Sequence, residues 1–547
     1  MVQIHELKSE DEYTDEEISE DSDVEQELDA EEEFDPSQES FYDRFAALKD
    51  IIPLETRNTI SERTANAFNF TRKSSKVIGN IVWVITTSSL LVGLPLALAI
   101  EDESRITMEE KSLLAQQSGA QQMLAPENEQ AKQQGIVAPA RNTLTKRSLS
   151  SLTTLNDDEL LLQDSVRKLA HAEILPRVRH MDEAEQMDTH IIHQLFQQGL
   201  MGIEVSSQYG GSECSFMSVI LAIEELAKVD PSVSVMCDVQ NTLVCTVFNK
   251  YANDAQKETY LPQLTADKVV NPCQVYRPIT PLKLGSFCLS EPASGSDAFA
   301  LQTKATKTDG GYILNGTKMW ITNAAEAEIF LVFANLDPSL GYKGITCFIV
   351  DKEQGVEIAK KEQKLGIRAS STCVLNLDDV FVRDDQVMGE IGKGYKIAID
   401  ILNEGRIGIA AQMIGLAQGA FAASVPYTYQ RKQFGKAVGE FQGMQFSFAD
   451  AHTQIEAAKL LTYNAARLKE EGKPFTKEAA MAKYYSSKIA QAVSGSAIEW
   501  AGGTGFTRET GIEKFWRDSK IGAIYEGTTN IQLGTIAKFV QKEYGDA

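Results

Sequence analysis

The chain has seven cysteines (Cys214, Cys237, Cys245, Cys273, Cys288, Cys347 and Cys373), and none falls in a C-x-x-C pair. An odd, scattered set argues against a disulfide framework or a zinc site and for a reducing compartment. Histidine is scarcer, at six. The pair His190 and His193 lacks a Cys or carboxylate partner and reads as a surface helix, so no metal site is expected. No basic stripe is present, which disfavours nucleic acid as a partner. Three local absences say more. Residues 1–50 contain 20 Asp/Glu and only 3 Lys/Arg, so most of the net charge of −24 sits in that head. Val77–Ile100 contains no charged residue. Residues 135–155, "GIVAPARNTLTKRSLSSLTTL", contain no acid but carry Arg141, Lys146 and Arg147.

Each absence has a physical reading. The acidic head offers too little apolar surface to offset chain entropy, so 1–76 is expected to be a solvated, disordered segment or an acidic bait for basic partners. Helical spacing of Phe41, Phe45, Leu48 and Ile52 suggests an amphipathic stretch that Pro53 interrupts. As a helix, 77–100 would span roughly 36 Å, enough to cross a bilayer, and Asn80 and Pro95 are tolerable there. Arg72, Lys73 and Lys76 precede it while Glu101, Asp102 and Glu103 follow, which leaves the head in the cytosol. Without a signal peptide at Met1, the span itself is expected to direct insertion. An Arg- and Ser-rich, acid-free stretch such as 135–155 reads as a cleavable mitochondrial address, here stranded inside the chain.

The acidic head, the span "WVITTSSLLVGLPLALAIEDE" and the Gln-rich tail "EKSLLAQQSGAQQML" together resemble the central receptor of the mitochondrial outer-membrane translocase, the TOM complex, in its fungal form. That resemblance covers residues 1 to about 134, with 101–134 as the short polar tail. It implies binding of basic presequences and of TOM complex subunits, and no catalysis.

A different kind of chain starts at residue 156. Asn156 with Glu159 forms a capping box, and Pro176 is expected to stop the helix. The stretch 156–268 reads as helical. From 285 to 390 the period is two, and Asn315-Gly316 between alternating runs predicts a hairpin. From 391 to 547 helices return. "YKIAIDILNEGRIGIAAQMIGLAQGAF" is apolar or small all round, as in a buried helix, and Phe441, Met444, Phe448, Ala451, Ile455 and Ala458 form a second seam.

Four patches could carry chemistry. Phe287–Asp297, "FCLSEPASGSD", is a strand entering a Ser/Gly loop able to hold a phosphate or ring edge, or an ordinary turn; it is not G-x-G-x-x-G. In "MWITN", Trp320 and Thr322 share a strand face that suits a flat heterocycle, although such pairs are commonly core. "EWAGGTGF" is a glycine turn for a ligand, or a helix C-cap. "IYEGTTN" sets Glu526 among apolar and small residues, where a carboxylate acquires a base's pKa; a surface-loop Glu is the plainer reading.

In order, "SEPASGSD", "MWITN", "RKQFGK", "EWAGGTGF" and "IYEGTTNIQL" resemble the acyl-CoA dehydrogenases over 156–547, most closely the short/branched-chain branch. With the disordered acidic head and single transmembrane helix already read from composition, the expected chain is multidomain, and the resemblance implies for 156–547 an all-α domain, a β-barrel-like domain and an α-helical bundle. It also implies FAD, an acyl-CoA substrate, a homotetramer, and electron-transfer flavoprotein in the mitochondrial matrix as electron acceptor. Glu526 matches the catalytic base for the α-proton. Phe287, Cys288, Leu289, Ser290, Gly295 and Ser296 match the flavin loop, with Ser296 also toward substrate. Trp320, Ile321 and Thr322 match the strand at the flavin edge. Arg431, Gln442, Glu499, Trp500, Ala501, Gly502, Gly503, Thr528, Thr529 and Asn530 match further FAD contacts. Tyr342, Tyr395, Asn403, Glu404, Gly405, Arg406 and Lys538 match positions toward acyl-CoA. Isovaleryl-type enzymes carry the base just before the residue matching Arg406; here that residue is Gly405. Glu404 would point about 100° away, which favours Glu526.

Two features depart from the family. The segment 269–284, with Pro272, Pro278 and Pro281, is extra to it and is expected to be a loop coded by a retained intron. The address at 135–155 sits behind a complete receptor, which suggests either a true fusion or a merger of neighbouring genes.

Overall fold

The computed structural model describes residues 152–265 and 282–545. The acidic head, the span 77–100, the tail, most of the address segment and the insertion up to residue 281 lie outside the described residues. Thr145–Ala547 forms one compact unit.

Helices come first. α1, Asp157–Leu169, starts at the capping box: the Glu159 amide donates to Asn156 Oδ1 at 2.8 Å, and the Asn156 amide to Glu159 Oε2 at 3.0 Å. Pro176 does not stop the helical path. A π-helical turn, Ala170–Ile174, leads into a 3-10 turn, Leu175–Arg177, whose first turn accepts Pro176 because the N–H lost there has no intrahelical partner. α2 (Val178–Ala184), α3 (Thr189–Gln197) and the wholly buried α4 (Phe216–Ala227) follow. α5 (Pro231–Asp238) runs through a buried π-helical segment, Val239–Cys245, into α6 (Thr246–Tyr251), and α7 is Asp254–Thr265.

Strands β1 (Leu284–Cys288), β2 (Lys304–Thr308), β3 (Gly311–Thr322), β4 (Ala327–Asn335), β5 (Ile345–Asp351), β6 (Glu357–Lys361), β7 (Thr372–Arg383) and β8 (Val387–Met388) form one sheet. Its order is β6-β7-β3-β2-β4-β5-β8, with β1 parallel to β4. Leu284 is buried and belongs to β1, so the insertion ends before the expected boundary at 284. The Lys283 amide donates to the Gln263 carbonyl at 2.8 Å, so the chain re-enters the fold beside the point where it left.

The expected hairpin at Asn315-Gly316 is not formed. β3 runs straight through it, and the turn lies at Asp309-Gly310, where Thr308 pairs with Gly311. Gly316 marks a bulge against β7 and packs so closely that a Cβ there would stand 2.7 Å from the Thr303 Cα. Its glycine answers to packing rather than to turning.

The last helices are α8 (Gly394–Gln430), α9 (Gln442–Glu470), α10 (Thr476–Ala501), α11 (Gly503–Phe506), α12 (Ile512–Ser519) and α13 (Thr529–Tyr544), with a small hairpin of β9 (Lys432–Gln433) and β10 (Lys436–Ala437) after α8. At 37 residues, α8 is the one described helix long and apolar enough to cross a membrane, but 78% of its most apolar window is buried inside the fold. It is a core helix packed between α4, α9 and α10. In α9, Phe448, Ala451, Ile455 and Ala458 are buried along the expected seam.

Candidate active site

Glu526 lies between the short helical turn Lys520–Ala523 and α13, in the turn Ile524–Thr528. Both Glu526 (φ 49°) and Gly527 (φ 91°) are left-handed. For a glutamate this backbone is strained, and surrounding bonds must hold it. Three do so. Lys483 on α10, 1% exposed, donates to the carbonyls of Gly522 at 3.0 Å and Gly527 at 2.8 Å. Gln532 Nε2 donates to the Glu526 and Gly527 carbonyls at 3.3 and 2.8 Å. The Tyr525 hydroxyl donates to Gln412 on α8, whose Nε2 donates to the Pro231 carbonyl at 2.8 Å.

The turn presses the Glu526 carboxylate onto Gly405. A Cβ at 405 would stand 3.2 Å from Glu526 Cδ, nearer still to Oε2, and 3.0 Å from Leu243 Cδ2. Glu526 Oε2 is buried without a hydrogen-bond partner. Burial raises its pKa to about 7, against the opposing pull of the Lys483 and Arg406 charges. A carboxylate poised near neutrality, with a free lone pair over a glycine floor, is equipped to take a proton.

Arg406 is drawn to the same place: its Nη1 donates to Asn403 Oδ1 at 2.8 Å, and its Nε is buried and unpartnered. Glu404 is not brought there. It is fully buried, ion-paired with Lys250, and 3.4 Å from Lys469. Its side chain leaves α8 on another side from Gly405, as the helical turn requires.

Phe287 and Cys288 lie on β1, with the Phe287 ring 4.8 Å from Phe333. Leu289 is buried; Gly295 and Ser296 are exposed on the loop beyond. The loop is tied to β3 because the Met319 amide donates to the Ser290 carbonyl at 2.9 Å. A bond that the sequence did not reveal pins it further: buried Lys318 pairs with Glu291 at 2.7 Å, and Glu291 also accepts the Gln302 amide at 2.6 Å. Beside the loop, β3 slips register against β7 between Lys318 and Ile321, and Trp320 has φ 63°. Trp320 is 55% exposed and Ile321 1%. Thr322 is half-buried.

On the final bundle, Arg431, Gln442, Glu499, Gly502 and Gly503 are exposed, as is Asn530 at the start of α13. Trp500 is buried and donates to Ser447 Oγ at 3.0 Å, with Ala501 beside it. Thr528 caps α13, and Thr529 begins it. Tyr342 and Tyr395 stack edge to face at 4.8 Å, while Lys538 is exposed on α13.

The surfaces suit a flat, polar cofactor. An indole stays exposed on a sheet at the expense of backbone strain, and neither Gly502 nor Gly503 has an atom within 4 Å of where a Cβ would stand. A carboxylate near neutrality and exposed surfaces for a planar ring suit a dehydrogenase that couples proton removal to a planar redox cofactor. Three family models agree: acyl-CoA dehydrogenase N-terminal domain over 156–268, middle domain over 286–380 and C-terminal domain over 392–541. The chain is 54% identical over 394 residues to the short/branched chain specific acyl-CoA dehydrogenase, mitochondrial, of Rattus norvegicus, covering 72% of this chain and 88% of the relative. The butyryl-CoA dehydrogenase structure from Megasphaera elsdenii matches at 39% identity with TM-score 0.67, covering 71% of this chain and 99% of that one. A glutaryl-CoA dehydrogenase from Mycobacterium smegmatis in complex with FADH2 matches at 26% identity with TM-score 0.64, covering 71% of this chain and 95% of that one. The chain belongs to the acyl-CoA dehydrogenase family of FAD-dependent oxidoreductases. Its first 125 residues match a second family model, mitochondrial import receptor subunit Tom22.

Proposed function

We propose that residues 156–547 catalyse the α,β-dehydrogenation of short or 2-methyl-branched acyl-CoA to the 2-enoyl-CoA, with Glu526 as the base. The observation that carries this is the Glu526 carboxylate, buried on Gly405 with an unpartnered oxygen. Glu526 accepts the proton leaving the α-carbon, and the bonds from Lys483 and Gln532 hold it still while it does so. FAD, when bound, supplies the acceptor for the hydride leaving the β-carbon. The Phe287–Ser296 loop and Trp320–Thr322 would hold its ring, and Arg431, Gln442, Glu499–Gly503 and Thr528–Asn530 its remaining parts, some across a tetramer interface. Tyr342, Tyr395, Asn403, Gly405, Arg406 and Lys538 stand toward acyl-CoA. Glu404, ion-paired with Lys250 on another side of α8, supports the helix instead. Electrons pass on to electron-transfer flavoprotein, and the site of action is the mitochondrion. Glu526→Gln fills the same space without basicity. It should keep FAD and lose roughly 10²–10⁴-fold in rate; near-wild-type turnover would sink the assignment. A preference for palmitoyl-CoA over short or 2-methyl-branched chains would overturn the substrate class.

Residues 1–134 support a second reading, carried by the Tom22 match over 1–125. They form an import-receptor segment anchored in the outer membrane by 77–100, with the acidic head binding basic presequences and other TOM complex subunits. An uncleaved chain would hold the enzyme on the wrong side of the inner membrane from its acceptor. The two parts therefore act as separate products, the enzyme in the matrix.

A further inference from the structure

A second carboxylate sits one helical turn from Glu526. Asp238, at the end of α5, is fully buried, and its carboxyl packs on Gly408 of α8: a Cβ at 408 would stand 2.8 Å from Asp238 Cγ. Gly405 and Gly408 are three residues apart, about 4.5 Å along the helix axis. The glycine face of α8 thus receives two acids side by side. Asp238 Oδ1 accepts a hydrogen bond from Thr242 Oγ1 at 2.9 Å, whereas Oδ2 is buried without a partner, as is Glu526 Oε2. Neither acid has a cation of its own at bonding distance.

Two like charges so close in a dry interior cannot both form, so one acid must keep its proton. The surroundings decide which. Glu526 feels the positive charges of Lys483 on α10 and Arg406 on α8. Asp238 faces Glu526, the Tyr525 hydroxyl and the Cys237 thiol, and no positive group among the described residues pairs with it. We propose that Asp238 is a positioning residue of the active site: a neutral carboxylic acid that shares the α8 glycine face with Glu526, yields the single negative charge to it, and has its own ionisation governed by the charge on Glu526. Burial and Glu526 both push the Asp238 carboxyl above the usual carboxylate range, in the direction this requires. When Glu526 takes up a proton, the repulsion that keeps Asp238 neutral is lifted.

The proposal rests on Glu526 being the base, but its test does not need turnover. The FAD-loaded full chain, in detergent and labelled with carboxyl-¹³C aspartate, is titrated by infrared spectroscopy. An isotope-shifted carbonyl band of a protonated acid is expected at pH 8 and should be missing in Asp238→Asn. In Glu526→Gln, which cannot carry the competing charge, the midpoint of that band should fall by about one pH unit or more. This arm also stands alone if Asp238→Asn does not fold. No labelled band at pH 8, or a midpoint indifferent to residue 526, overturns the proposal. In turnover, Asp238→Asn should leave the acid limb of kcat/KM within about 0.3 pH unit of wild type, whereas a drop of a full unit would mean that Asp238 is an anion. Failure of the base assignment would appear instead as activity retained by Glu526→Gln, with the infrared titration still readable.

Discussion

Replacing Glu526 by Gln should stabilise the protein while inactivating it, and the gain should depend on pH. Burial lifts the Glu526 carboxyl from its ordinary 4.5 to about 7. The folded state therefore holds a proton that the unfolded chain has already released. Between those pH values the unfolded state binds fewer protons, so wild-type stability falls as pH rises. At 1.36 kcal/mol per pH unit, the full cost of forcing the anion into the fold is about 3 kcal/mol above pH 7, and nothing is lost below about pH 4.5. Glutamine fills the same space and never ionises, so it escapes the cost. Urea or thermal unfolding of both FAD-loaded proteins should give equal stability near pH 4.5 and a growing advantage for Glu526→Gln up to about pH 7, flat beyond. An advantage independent of pH, or a mutant less stable at pH 8, would refute the reasoning, because Glu526 would then be an ion that the fold stabilises.

Three further outcomes are expected. Gly405→Ala puts a methyl group against the Glu526 carboxylate, and the displaced base should lose roughly 10²-fold in kcat without loss of FAD; unchanged kinetics would mean that the carboxylate does not work from that position. Lys483→Met removes a charge that pulls the Glu526 pKa down, so the acid limb of kcat/KM should move above pH 7, and a downward shift would contradict the assigned electrostatics. Immunoblots of mitochondria should show a small outer-membrane product and a separate matrix flavoenzyme; one membrane-bound band of the full 60.3 kDa, seen by antibodies to both parts, would establish a true fusion.

Features written into neighbouring residues were legible in the sequence. The cap of α1 needs only Asn156 and Glu159, three residues apart, and the α9 seam follows from helical period alone. For Glu526 the apolar and small neighbours in the chain were only a hint: a surface-loop Glu was the plainer reading, and the family resemblance singled it out. What was missed depends on residues far apart in sequence. Nothing near Lys483 announces that its ammonium will hold the carbonyls of Gly522 and Gly527, and Lys318 meets Glu291 across 27 residues. Asp238 reaches Gly408 only because α5 and α8 pack together. The hairpin error has a local cause. Asp309-Gly310 and Asn315-Gly316 carry the same turn signal, and only the packing of Gly316 on Thr303 shows which of them turns.

The central claim is that Glu526 takes the α-proton, and exchange of that proton with solvent isolates the step from all later ones. FAD-loaded enzyme is held anaerobically with a short acyl-CoA in D₂O, and deuterium entering the α-carbon is followed by mass spectrometry. Wild type should wash deuterium into the α-position, and Glu526→Gln should do so roughly 10²-fold more slowly or worse at every pH. Exchange at the wild-type rate in Glu526→Gln would place the base elsewhere and contradict the account.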